Sequence, residues 1–163
     1  MKYIVKAIGL LLLISVKLSA QGPAETIPEF NFFKLDESSF TNKNLETGKM
    51  LFFVFFDSDC DHCQHAISYI NQHIAEFKKT PIYLITLDSR EKINQFMVKY
   101  GANLKDKKNI ILLQDRKYEF LPKFKPRKYP SMYLYSAQKK LIHYDDEPEN
   151  ISMFVQEINK AAK

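Results

Sequence analysis

The sequence predicts an α/β domain in which a central sheet is flanked by helices on both faces. Three observations carry this. The short apolar runs Met50–Phe56, Pro81–Leu87 and Asn109–Leu113 read as strands, the first two of them buried on both faces. Between them lie segments with apolar residues at helical spacing. Strands that alternate with helices fold as a sheet covered on both sides. The length of 163 residues suits one such domain, and no repeat, low-complexity tract or interdomain linker divides it.

The chain opens with Lys2 and Lys6 and the apolar run Ala7–Val16. About ten apolar residues are too few to cross roughly 30 Å of hydrocarbon as a helix, but they suit the core of a secretory signal. Leu18-Ser19-Ala20 offers a cleavage site, so residues 1–20 are expected to be a signal peptide and residues 21–163 a single mature domain. The alternative is an uncleaved anchor, the one expected route to a membrane. No cysteine follows the run to carry a lipid. Removing Lys2, Lys6 and Lys17 lowers the net charge from +5 to +2, and the concentrated basic surface that nucleic-acid binding requires is lost.

In the mature chain, Pro23 and Pro28 mark an extended lead and Phe30–Leu35 nearly alternates as a strand. Asp36–Lys49 reads as polar turn and loop. The run Met50–Phe56 follows as the strand at the centre of the sheet. Cys63, Ile67, Ile70, Ile74 and Phe77 share one face of a helix predicted to open at Cys60. After the strand Pro81–Leu87, Asp88 or Ser89 can cap a helix whose apolar face is Ile93, Phe96, Met97 and Tyr100, and Gly101 stops it. Asn109–Leu113 is the third hydrophobic strand, and residues 114–128 read as a polar, basic connection. Met132–Tyr135 and Leu141–Tyr144 flank a hairpin turn. From about Glu149 a helix runs with Ile151, Phe154, Val155 and Ile158 on one face. Asn150-Ile151-Ser152 matches a glycosylation sequon, but Asn150 reads better as a helix cap. His73 and His143 read as surface or edge residues.

Composition excludes several classes. With 45% hydrophobic and 13% aromatic residues the chain is not a disordered one. Four scattered glycines build neither a phosphate-binding loop nor a dinucleotide fingerprint. Two cysteines are too few for a disulfide scaffold. They are, however, Cys60 and Cys63, two residues apart at the predicted helix start. There the orphan N–H groups and the helix dipole stabilise a thiolate at the first cysteine, the attacking species in disulfide exchange. The second cysteine, one turn in, can resolve a mixed disulfide. Cys60 is thus the expected nucleophile and Cys63 the resolving thiol of a redox-active pair. A purely structural bridge over two residues would remove little chain entropy. A zinc site would need two further ligands, which His62 and His65 on the same turn are poorly placed to supply. Gln64 occupies the position a haem-attachment motif gives to histidine. No cofactor or resident metal is expected.

These residues, over about 27–160, resemble the thioredoxin superfamily, especially exported TlpA/ResA-like thiol–disulfide oxidoreductases. Ile27-Pro28-Glu29-Phe30-Asn31-Phe32 is similar to the opening segment of those proteins. Phe52 to Cys63 matches their strand and CxxC, Ile82 to Gly101 their inserted strand–helix unit, and Tyr129-Pro130-Ser131 their cis-proline loop. The resemblance implies a thioredoxin-like fold with a central mixed sheet. It also implies a Pro130 packed beside the disulfide, with the backbone at Tyr129 binding the substrate chain. Its partners would be protein thiols and disulfides plus a redox-recycling partner, and its place the periplasm or cell envelope. The sequence departs from the pattern in several places. Asp59 replaces the usual tryptophan, Ala66 an acidic residue, and Ser68 a helix-kinking proline. No acid lies within Met50–Phe56, so the usual proton acceptor for the resolving thiol is missing, leaving His62 or water.

His62 gives a CxHC pattern that resembles DsbA-like oxidants, and a protonated histidine favours the thiolate. Asp57, Asp59 and Asp61 oppose a further negative charge, which leans the expectation toward a reductant. Lys123-Phe124-Lys125-Pro126-Arg127-Lys128, just before Tyr129, reads first as a solvated loop face; the alternative is that it partly offsets these carboxylates and meets acidic partner surfaces. Two alternatives compete. A peroxiredoxin-like peroxidase normally has Thr or Ser where Asp57 stands. A non-enzymatic binding module would handle metal or a partner through Cys60, Cys63 and a histidine.

Overall fold

The computed structural model describes residues 22–77 and 80–161. The expected signal segment, residues 1–20, lies outside them. One mixed seven-stranded sheet organises the chain, in the order β2-β1-β5-β4-β3-β6-β7. Its centre is β3 (Leu51–Phe55), with β4 (Ile82–Thr86) parallel on one side and β6 (Ser131–Tyr135) antiparallel on the other. Beyond β4 run β5 (Ile110–Gln114), then β1 (Asn31–Lys34) and β2 (Ser39–Thr41). Beyond β6 lies β7 (Leu141–Asp145), joined to it by the expected hairpin.

Successive side chains of a strand point to opposite faces, and both faces of β3 are fully buried. Phe52, Val54 and Phe56 look toward α1 (Asp61–Gln72), α2 (Arg90–Tyr100) and α4 (Ile151–Ala161), which bury Ile67, Ile70, Ile93, Phe96, Phe154 and Ile158 against them. Leu51, Phe53 and Phe55 look the other way, into an aromatic layer closed by α3 (Phe120–Phe124) and the lead Ile27–Phe32. Among the described residues helices cover both faces, but unevenly: three long ones on one side, five residues on the other. Among the described residues no helix is long and apolar enough to cross a membrane.

Two segments read as loop carry structure. Residues 36–49 contain β2 and a 3-10 turn over Asn42–Asn44. Tight turning at Asp36–Ser38, with Glu37 at φ 71°, lets Phe40 fold back onto the aromatic layer. Residues 114–128 contain α3. Phe120 and Phe124, four apart, are wholly buried, and the buried Asp115 accepts from the N–H groups of Glu119 (3.0 Å) and Phe120 (2.7 Å). Five residues within a basic stretch are too short to show a helical period. The helix face predicted to run to Phe77 breaks at His73, and Ile74–Phe77 continue as a 3-10 turn. Asn150 closes another 3-10 turn before α4, and its side chain donates to Asp145 Oδ2 (3.0 Å) rather than serving as the expected cap.

The register between β3 and β6 pairs Phe55 with Ser131. The residues that follow β3 therefore emerge beside those that precede β6, which brings the cysteine loop against Tyr129 and Pro130.

Candidate active site

Leaving β3, the chain makes a tight loop through Asp57, Ser58 and Asp59. Asp57 Oδ1 accepts from the Asp59 N–H (2.8 Å), and the Asp57 carbonyl accepts from the Cys60 N–H (3.3 Å). A second carboxylate anchors the loop from β4: Asp88 Oδ2 accepts from the Ser58 N–H (2.8 Å) and from Thr86 Oγ1 (3.0 Å). Of the two capping candidates for α2, Ser89 takes the role and Asp88 serves this loop. Cys60 is the N-cap of α1, where its carbonyl accepts from the Gln64 N–H (3.0 Å).

The two thiols are free and differently placed. Cys60 is half-buried, and its Sγ–H donates to the Tyr129 carbonyl at 3.8 Å. Cys63 is fully buried, and its Sγ accepts from the Asp57 N–H at 3.4 Å. Burial pushes the Cys63 thiol far up from its ordinary range, because a thiolate there would lose its hydration. The Tyr129–Pro130 peptide bond is cis. The Tyr129 ring packs on Phe55 (4.9 Å between centroids), and burial pushes its phenol up to about 12. The structure thus brings Cys60, Cys63, Tyr129 and Pro130 together. His62 and His65 are exposed on α1, and His62 makes no hydrogen bond or ion pair among the described residues. Among those residues no group of three or more His, Cys, Asp or Glu could hold a metal.

Most of the basic segment's charge is matched by carboxylates other than those of the cysteine loop. Lys123 pairs with Glu119 (2.6 Å), Arg127 with the buried Asp146 (2.7 Å) and Lys128 with Glu147. The cation at the cysteine loop is Lys92 of α2, 2.6 Å from Asp59, and that contact raises the lysine's own pKa. Two parts of the site carry no clear sequence signal. Asp88 reads from sequence only as a helix cap. Asp146, together with Tyr144, ties down the loop before Pro130: Tyr144 Oη accepts from the Arg127 N–H (3.0 Å), lies 3.0 Å from Ser131 Oγ and donates to Asp146 (3.1 Å). An Asp-Asp pair after a strand carries no signal of that role.

Comparison with known proteins agrees with the geometry. The fold is similar to a thiol–disulfide oxidoreductase from Bacteroides fragilis (19% identity, TM-score 0.66, covering 82% of this chain and 98% of that one). It is also similar to a secreted disulfide oxidoreductase of Mycobacterium tuberculosis (18%, 0.64, 78% and 95%). A thioredoxin-like protein from Porphyromonas gingivalis is a third (12%, 0.66, 85% and 93%). At such identities the likeness is one of fold, and that fold is thioredoxin-like. No curated protein matches the chain. The AhpC/TSA family matches residues 23–144, well over half of the sequence, and the chain belongs to that family.

Proposed function

We propose that the chain is an exported thiol–disulfide oxidoreductase that exchanges disulfides with protein substrates through Cys60-Asp61-His62-Cys63. The observation that carries this reading is the asymmetry of the dithiol. A half-exposed cysteine caps a helix beside the Tyr129–Pro130 backbone, and a buried cysteine waits one turn behind it. Cys60 attacks a substrate disulfide as the thiolate, helped by the unpaired N–H groups of the first turn of α1. The substrate chain runs along the backbone at Tyr129, whose carbonyl already meets Cys60 Sγ. Cys63 then attacks the mixed disulfide, closing the Cys60–Cys63 bond and releasing the substrate thiol. The oxidised dithiol must be reduced again by a partner protein. Residues 1–20 direct export to the periplasm or cell envelope.

The carboxylates around the loop favour a reductant. Among the described residues only Lys92 pairs with them, through Asp59, and both side chains of that contact are well exposed. A measured reduction potential near roughly −120 mV, the strong-oxidant end, would overturn that direction. Insulin-disulfide reduction tests the activity itself: wild type turns over and Cys60→Ser does not. Cys63→Ser is expected to accumulate mixed disulfides with its substrates, which identifies them. An inactive wild type, or an active Cys60→Ser variant, would refute the reading.

A further inference from the structure

Resolution by Cys63 poses a problem that the site has to solve. A thiol is a poor nucleophile until it loses its proton. Cys63 sits wholly inside the protein, where burial strongly favours the protonated form. Some nearby group must take that proton as the sulfur attacks.

The titratable groups around the dithiol come from several elements. On its own helix Asp61, His62 and His65 are exposed. On the loop before α1, Asp59 is exposed and held by Lys92 at 2.6 Å. From β4, Asp88 Oδ2 is taken up by the Ser58 N–H and the Thr86 hydroxyl. Beyond β5, both oxygens of Asp115 cap α3. From the loop before β6, the Tyr129 phenol keeps its own proton at neutral pH. Asp57 is different. Its main-chain N–H already touches Cys63 Sγ, at 3.4 Å. It is half-buried, and its Oδ1 is fixed by the Asp59 N–H while Oδ2 has no hydrogen bond among the described residues. Its charge is felt both at Cys63 and at Tyr129, on either side of the dithiol.

We propose that the Asp57 carboxylate accepts the proton of Cys63 as Cys63 attacks the mixed disulfide on Cys60. This rests on the oxidoreductase reading above. The Cys63 S–H bond breaks and its proton passes to Asp57, directly or through one water. The Cys63 sulfur forms a bond to Cys60 Sγ as the bond from Cys60 to the substrate sulfur breaks. The substrate leaves as a thiolate and is reprotonated from Asp57 or solvent. The substrate disulfide is reduced and the dithiol oxidised, two electrons each way. The Asp57 N–H meanwhile faces the sulfur on which negative charge develops.

The two roles open to Asp57 have opposite signs. As a bystander charge it opposes ionisation of Cys63, so neutralising it would speed resolution. As the proton acceptor, its loss slows resolution. Stopped-flow mixing of the reduced full chain with dithionitrobenzoate separates the steps, since one thionitrobenzoate leaves on attack by Cys60 and a second on attack by Cys63. For Asp57→Asn, which keeps the acceptor for the Asp59 N–H, the second release is expected to fall about 100-fold at neutral pH. That release should then climb with pH as hydroxide replaces the carboxylate, while the first release stays within a few-fold. Asp57→Glu should restore most of the second rate. If Asp57→Asn does not fold, Asp57→Glu against Asp57→Ser gives the same comparison. A second release that is unchanged or faster without the carboxylate, or both releases slowed alike, overturns the proposal. A wild type that releases only one thionitrobenzoate instead overturns the oxidoreductase reading beneath it.

Discussion

The segments 57–61 and 123–129, each largely loop, converge on the same end of the sheet, carry opposite charges and spend those charges differently. In the basic loop Lys123, Arg127 and Lys128 are each matched by a carboxylate, and Asp146 behind them is buried. In the acidic loop, among the described residues, only Asp59 has a cation. Asp57 and Asp88 bond instead to backbone N–H groups of that loop. One loop uses charge to fix its shape. The other uses main-chain hydrogen bonds for shape and leaves carboxylate charge beside the dithiol. Counting charges along the chain treats the two alike, because it cannot tell which partner each charge will find.

The largest test of this contrast removes the anchor of the basic loop. Asp146→Ala deprives Arg127 and Tyr144 of a buried charged acceptor, and should cost about 1.5–3 kcal/mol in denaturant unfolding. It should also slow insulin reduction, because Tyr129 and Pro130 lose their support. Unchanged stability would mean that the loop holds itself. Asp115→Ala, which uncaps α3 on the aromatic face, should cost about 1–2 kcal/mol by the same measurement.

The buried thiol behind the acidic loop is expected to show itself in the pH dependence. Folded Cys63 keeps its proton above the unfolded thiol's pKa of about 8.5. The folded state then binds more protons than the unfolded one, so stability is full below that pH and falls as pH rises, by at most about 1.4 kcal/mol per unit. Cys63→Ala should flatten this slope between about pH 8.5 and 10, below the range in which the tyrosines titrate. Urea unfolding of the reduced protein at several pH values measures it, and an equal slope in the variant would contradict it. The smallest effect is expected at the surface. Lys92→Gln breaks an ion pair whose side chains are 50% and 75% exposed, and should change stability by less than about 1 kcal/mol.

Much of the scaffold was legible because its signals are local. The unbroken run at Phe52–Phe55 marks a strand buried on both faces, and Ile151, Phe154, Val155 and Ile158 mark the buried face of α4. The CxxC spacing and a proline before a strand pointed to residues that the fold brings together. What escaped was non-local. Phe40 and Phe120 look like stray aromatics in polar stretches until the sheet offers them a common surface. Asp146 reads as one acid among several until β7 delivers it beneath Arg127. The basic segment invites pairing with the aspartates because it directly precedes Tyr129-Pro130, but Lys123, Arg127 and Lys128 find Glu119, Asp146 and Glu147 instead.

The lead before β1 has a consequence for orientation. The Ile27 N–H donates to the Lys139 carbonyl (3.1 Å), the Leu141 N–H to Glu25 (2.7 Å), and Tyr135 Oη to Ala24 (3.0 Å). These bonds sit at the hairpin end of β6, and Pro130 lies at its other end, about 15 Å away along the strand. The polypeptide therefore enters the domain at the pole opposite the dithiol. A tether attached at that point would hold Cys60 outward, with its approach unobstructed by whatever the tether is fixed to.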